Sequence, residues 1–189
     1  MCGIAGLIGK IGVPVLPQHL RGMASALRHR GPDAEGVWCG AGDDAFLGLA
    51  HRRLSVLDPK DGAQPMRSDD ENVVVVFNGQ IYNHDELRQR LAGLGHRFVT
   101  DHSDTEVLVH GYRQWGTELC THLRGMFAFA VVDLQKRTML LARDRMGQKP
   151  LYVATRDFFA QDAPFDLAFA SELCALTGLP KARPVVDPL

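Results

Sequence analysis

A cysteine stands at the second position of the chain, in Met1-Cys2-Gly3-Ile4-Ala5-Gly6. Removal of the initiator Met1, the usual outcome when a small residue follows, leaves Cys2 with a thiol and a free α-amine on one residue. A nucleophile then sits beside its own base. A free cysteine thiol titrates near about 8.5 and an α-amine near roughly 7.7–8.0, so the pair suits nucleophilic chemistry near neutral pH. Taken alone the signal is weak, because a cysteine is more often a small inert hydrophobe.

The other reactive residue types exclude several chemistries. Cys2, Cys39, Cys120 and Cys174 are far apart in sequence, so no zinc site or redox pair is written locally. The eight histidines include no metal-binding spacing, and no metal is expected. His29 and His51 invite a reading as bases, but an N-terminal amine makes an imidazole unnecessary, and both are expected to be structural. Reduced thiols suit a cytoplasmic protein. Glycines interrupt residues 1–12 and no apolar run reaches membrane-spanning length, so neither a secretory leader nor a membrane span is expected.

At 189 residues, with 46% apolar and 23% charged residues, the chain fits one globular domain. A net charge of −1 gives no reason to expect nucleic acid or an acidic membrane as partner. Small molecules and protein surfaces remain.

The elements that must position Cys2 follow from periodicity and punctuation. Residues 4–8, punctuated by Gly3, Gly6 and Gly9, read as a buried strand whose backbone lies close to a neighbour. Leu20, Met23, Ala24 and Leu27 recur at helical spacing, and Gly31-Pro32 follows their end. Residues 36–39, 45–51 and 54–57 suggest short strands. The run 73–77 is apolar without alternation, as in a strand covered on both faces, and Asn78-Gly79 predicts a tight turn at its end.

Helices are predicted to start at Asn83-His84-Asp85-Glu86, with Leu87, Leu91 and Leu94 on one face, and at Ser103-Asp104-Thr105-Glu106, both as capping boxes. Residues 126–132 and 138–142 read as a hairpin, 151–154 and 167–170 as further strands, and Ser171-Glu172 as the start of a closing helix. Several doubly buried strands with at least three amphipathic helices imply an α+β fold: two mainly antiparallel sheets stacked between helices in four αββα layers. The proline-bearing tail at 181–189 reads as the start of a linker after a domain at 1–180, so the natural chain is expected to continue.

These segments resemble a family. The N-terminal hexapeptide, Arg28-His29-Arg30-Gly31-Pro32-Asp33, residues 51–58, Gln64-Pro65, residues 78–83, 103–106 and 125–130, the stretch Arg143-Asp144 to Leu151-Tyr152, and residues 170–173 are similar, in the same order, to the glutaminase (class II glutamine amidotransferase) domain of glutamine-hydrolysing asparagine synthetase. The resemblance covers nearly the whole chain. It implies an N-terminal-nucleophile hydrolase that cleaves L-glutamine to glutamate and ammonia through a Cys2 thioester. Ammonia would serve the ATP-dependent amidation of aspartate to asparagine in a C-terminal synthetase domain. That domain would need ATP and Mg, whereas the glutaminase needs no cofactor. No glycine-rich phosphate loop followed by a helix occurs in this chain.

The resemblance also assigns roles. Asn78 and Gly79 would donate to the oxyanion, which requires aligned donors in place before attack. Arg53 would hold the glutamine α-carboxylate, as guanidinium does in bidentate fashion. Leu54, Ser55, Val56 and Leu57 would line the site with backbone groups, and Asp104 with residue 80 would receive the α-ammonium. Read locally, Asn78-Gly79 need be no more than a turn, Arg53 a surface arginine, and Asp104 a helix-terminal carboxylate. Gln80 departs from the family, which usually has glutamate there; it keeps an acceptor oxygen without the charge. Amidation of another carboxylate and a non-catalytic glutamine-binding scaffold stay open, as does a homodimer.

Overall fold

Four consecutive valines followed by Phe77 leave a strand no polar face, so both faces must be covered. The computed structural model describes residues 1–10, 17–41, 46–54 and 62–184. In chain order these form β1 (Gly3–Gly9), α1 (Pro17–Ala26), β2 (Ala34–Ala41), β3 (Phe46–Arg53), β4 (Met66–Arg67), β5 (Val73–Ile81), α2 (His84–Gly93), α3 (Asp104–Trp115), α4 (Leu119–His122), β6 (Gly125–Asp133), β7 (Thr138–Arg143), β8 (Tyr152–Thr155), β9 (Phe165–Ala170) and α5 (Leu173–Thr177). One sheet has the order β2-β3-β1-β9-β8 and the other β4-β5-β6-β7, with antiparallel pairs throughout.

Alternation along β5 separates two cores. Val74 and Val76 join Ile4, Leu49, Ala128, Ala130 and Phe169 between the sheets. Val73, Val75 and Phe77 face the other way, onto Leu87, Val107 and Leu108 of α2 and α3. Leu20, Met23 and Leu176 of α1 and α5 cover the outer face of the first sheet with Ala5 and Leu7. The layers are therefore helix, sheet, sheet, helix, the expected α+β arrangement. Among the described residues no helix is long and apolar enough to cross a membrane.

Several local expectations are corrected. β5 does not end before Asn78-Gly79: both residues stay in the ladder, opposite Ala128 and Phe127, and the strand reaches Ile81. A Cβ on Gly79 would lie 2.2 Å from the Met126 carbonyl oxygen, so glycine is needed here for close approach and not for a turn. Neither capping box forms. The Asn83 side chain bonds the 122–124 segment through His122 O and Arg124 N, while Glu106 accepts from Val99 N and Thr100 N. Leu94 is exposed and lies at the C-terminal cap of α2, beyond its buried face. Leu54 follows β3 without joining a strand; residues 55–57 and 185–189 lie outside the described set.

Gly6 in β1 makes room for the neighbouring strands of its own sheet, β9 and β3. A Cβ on Gly6 would sit 2.3 Å from the Phe169 ring and 2.9 Å from Gly48 O. Overpacking of this kind costs about 1–3 kcal/mol, so Gly6→Ala is expected to lower the melting temperature by roughly 2–10 °C. Scanning calorimetry checks this, and an unchanged transition would contradict the packing.

Candidate active site

The N-terminal strand positions Cys2 by register. Gly3 is the first β1 residue in the ladder and pairs with Arg52, so Cys2 falls one step before it, beside Arg53 and Leu54. The Cys2 sulfur accepts from Leu54 N at 3.5 Å and lies 3.7 Å from Leu54 O. Two further contacts fix the backbone on either side. Arg30 Nε donates to Cys2 O at 3.0 Å, and Ser171 Oγ accepts from Ile4 N at 3.0 Å. Arg30 is buried, and a buried guanidinium needs a carboxylate partner. Glu172 provides it at 2.7 Å. Hydrogen bonds from Arg30, together with one from His29, hold the Glu172 carboxyl below the usual range against partial desolvation. His29 is itself exposed on the far side of this pair.

β5 supplies the opposite wall. β4 has only two residues and pairs only with Val74 and Val75, so the edge of β5 beyond them has no neighbouring strand. Side chains take its place: Gln64 Oε1 accepts from Phe77 N at 2.6 Å, and Asp104 Oδ2 accepts from Ile81 N at 3.1 Å. Alternation in an antiparallel ladder puts the N–H of Gly79 on this same edge, between those two. Alternation likewise sends the side chains of Asn78 and Gln80 toward the first sheet, where Cys2 lies. Asn78 is 1% exposed, and its Nδ2 has no hydrogen-bond partner among the described residues.

Helix α3 delivers Asp104 at its first residue. Burial raises its pKa, opposed by the Ile81 N–H and the charge of His84. Gln64 joins the two walls, since its Nε2 donates to Thr105 Oγ1 at 3.1 Å while its oxygen holds Phe77.

Cys2, Arg53, Leu54, Asn78, Gly79, Gln80 and Asp104 thus line one cleft of about 210 Å³. That is smaller than the roughly 300–1,000 Å³ typical of drug-sized ligand sites, and suits an amino acid better than a nucleotide. Of the expected wall, Ser55, Val56 and Leu57 lie outside the described residues. Among the described residues no group of three or more His, Cys, Asp or Glu side chains could hold a metal ion.

The fold brings here residues that sequence reasoning gave no role, Gln64 and Lys149, and one it expected to be structural, His51. His51, Gln64 and Lys149 line the cleft, and Lys149 Nζ donates to Met1 Sδ at 3.3 Å. Asp144 holds the Lys149 turn by accepting from the backbone N–H groups of Phe127, Gln148 and Lys149. Arg30, Gln64, Lys149 and Glu172 all lay in the segments that carried the resemblance, but nothing local marks a residue whose partner is distant in sequence, 41 positions for Gln64 with Thr105 and 142 for Arg30 with Glu172.

A family model described as a glutamine amidotransferase domain matches residues 1–188. Among curated proteins, the chain is similar to asparagine synthetase [glutamine-hydrolyzing] from Zea mays, at 41% identity over 81% of this chain and 25% of that protein. It is also similar to asparagine synthetase [glutamine-hydrolyzing] 2 from Arabidopsis thaliana, at 39% over 94% and 28%, and to asparagine synthetase [glutamine-hydrolyzing] 3 from Bacillus subtilis, at 37% over 99% and 29%. The chain therefore spans about a quarter of the length of the relatives it matches. Among solved structures, glutamine phosphoribosylpyrophosphate amidotransferase from B. subtilis superposes with a TM-score of 0.73 over 96% of this chain and 44% of that one. At 23% identity this likeness bears on the fold alone.

Proposed function

Since the chain belongs to the glutamine amidotransferase domain family, we propose that it hydrolyses L-glutamine to glutamate and ammonia at Cys2. The observation that carries this reading is the presence on one small cleft of a half-buried thiol, a buried amide donor without a partner among the described residues, a carboxylate and a guanidinium. With Met1 removed, the α-amine of Cys2 takes the thiol proton as sulfur attacks the amide carbon. Asn78 Nδ2 and Gly79 N–H receive the oxyanion. Collapse of this intermediate breaks the C–N bond, and the proton returns from the amine to the departing ammonia. Water then cleaves the thioester to glutamate and free thiol. Arg53 anchors the α-carboxylate, and Asp104 with Gln80 accepts from the α-ammonium.

The ammonia is proposed to amidate aspartate in a synthetase domain joined through residues 181–189, with ATP and Mg as that domain's requirements, in the cytoplasm where thiols stay reduced. The relatives' names and their greater length support this. The deciding experiment incubates the chain with glutamine and measures ammonia and glutamate, with mass spectrometry of the N-terminus. Equal release from protein that starts at Cys2 is expected; active protein retaining Met1 would contradict the free-amine mechanism. Because relatives are longer, a longer chain should be assayed alongside.

Gln80 gives a graded test. A hydrogen bond involving a charged group contributes about 1.5–3 kcal/mol against about 1 for a neutral one. Gln80→Glu is therefore expected to lower KM for glutamine several-fold with kcat nearly constant. Steady-state kinetics showing an unaltered KM would remove residue 80 from ammonium binding.

A further inference from the structure

His51, on β3, is 2% exposed yet lines the same cleft as Cys2 and Asn78. Burial, the largest influence, lowers its pKa to about 3; a hydrogen bond with the Phe77 backbone opposes the shift and the Arg53 charge adds to it. The ring is consequently neutral near pH 7. A neutral imidazole offers one N–H donor and one bare lone pair. Because Nε2 is the ring nitrogen without a partner, the hydrogen bond with the Phe77 backbone falls to Nδ1; with Nδ1 as the donor, Nε2 is an acceptor. That atom is buried and has no partner among the described residues.

Asn78 Nδ2 is its complement, a buried donor in the same cleft that also has no partner among the described residues. A primary carboxamide carries an acceptor oxygen and a donor nitrogen on one carbon. A buried donor and a buried acceptor on residues that line one cleft match that group. A carboxylate does not match, because its second oxygen would turn a lone pair toward the lone pair of Nε2.

We propose that His51 is a specificity residue, whose Nε2 accepts a hydrogen bond from the side-chain amide nitrogen of glutamine and disfavours glutamate. The inference rests on the glutaminase reading of the cleft. It also supplies a reason for product release: hydrolysis replaces the N–H that His51 accepts with an oxygen that it repels.

The test measures calorimetric Kd values in the Cys2→Ala chain, where bound ligand is not turned over. Three ligands are compared: glutamine, glutamate, and glutamate γ-methyl ester, which keeps the carbonyl oxygen but has no N–H. With His51 intact, glutamine is expected to bind about tenfold or more tighter than the ester, with glutamate weaker again. In His51→Asn, whose shorter side chain can keep a donor for Phe77 but not the distal acceptor, amide and ester should bind within a few-fold of each other. Equal binding of amide and ester with His51 intact would overturn the proposal, whether or not the variant folds. So would a parallel loss of all affinities in His51→Asn with their ratios unchanged, since that is the mark of a structural role. Glutamine turnover by the Cys2-bearing chain is read separately. Selectivity without turnover would sink the catalytic reading and keep this inference; turnover without selectivity would do the reverse. A chain that binds none of the three would overturn both.

Discussion

Cys2→Ala is expected to abolish ammonia release from glutamine, with a loss on the order of 10⁴-fold or more, as when the nucleophile of a covalent hydrolase is removed. Among the described residues that line the cleft with Asn78 and Gly79, Cys2 supplies the thiol, and its sulfur is held beside Leu54. Losing it should leave binding intact, because the proposed anchors for the amino-acid end, Arg53 and Asp104, belong to β3 and α3. The variant should therefore bind glutamine with Kd within a few-fold of the parent and melt at nearly the same temperature, since Cys2 is only half-buried. A coupled ammonia assay and calorimetry check both statements. More than a few per cent of residual activity would show that some other group attacks the amide.

Asn78→Ala should lower kcat by about 10²–10³, the effect of removing one oxyanion donor, with little change in KM. The interaction forms fully only when charge develops on the oxygen, so it contributes to the transition state more than to ground-state binding. Stability should change little through hydrogen bonding, because Nδ2 satisfies no other group among the described residues. A comparable rise in KM at constant kcat would make Asn78 a binding residue instead. Gly79 cannot be tested so cleanly, since any side chain there would meet the Met126 carbonyl before it altered the donor.

The contrast between these residues shows what a linear reading can and cannot find. The valines at 73–76 announced a doubly covered strand because composition alone determines that such a segment has no polar face. The αββα layering followed from strands and helices of that kind. Cys2, Arg53, Asn78, Gly79, Gln80 and Asp104 were marked by resemblance, and the fold brings all of them to one cleft. Asn-Gly was misread as a turn, however. The local preference of that pair is real, but the ladder to Ala128 and Phe127 overrides it, and the glycine serves close contact with β6. The capping boxes failed similarly, since Asn83 and Glu106 found partners outside their own helix turns.

By itself the sequence determined the residue types, the layers that bury them and the family whose order they follow, because periodicity and side-chain chemistry are properties of neighbouring positions. Only the tertiary structure decided that Arg30 and Glu172, 142 positions apart, clamp the Cys2 backbone. It alone decided that a two-residue β4 bares the edge of β5 for Gln64, Gly79 and Asp104, and that His51 is buried on the lining of the cleft with Nε2 lacking a partner among the described residues. The physical reason is the same in each case: a hydrogen bond or a desolvated group depends on what packs against it, and antiparallel pairing brings together residues whose separation along the chain carries no mark of the contact.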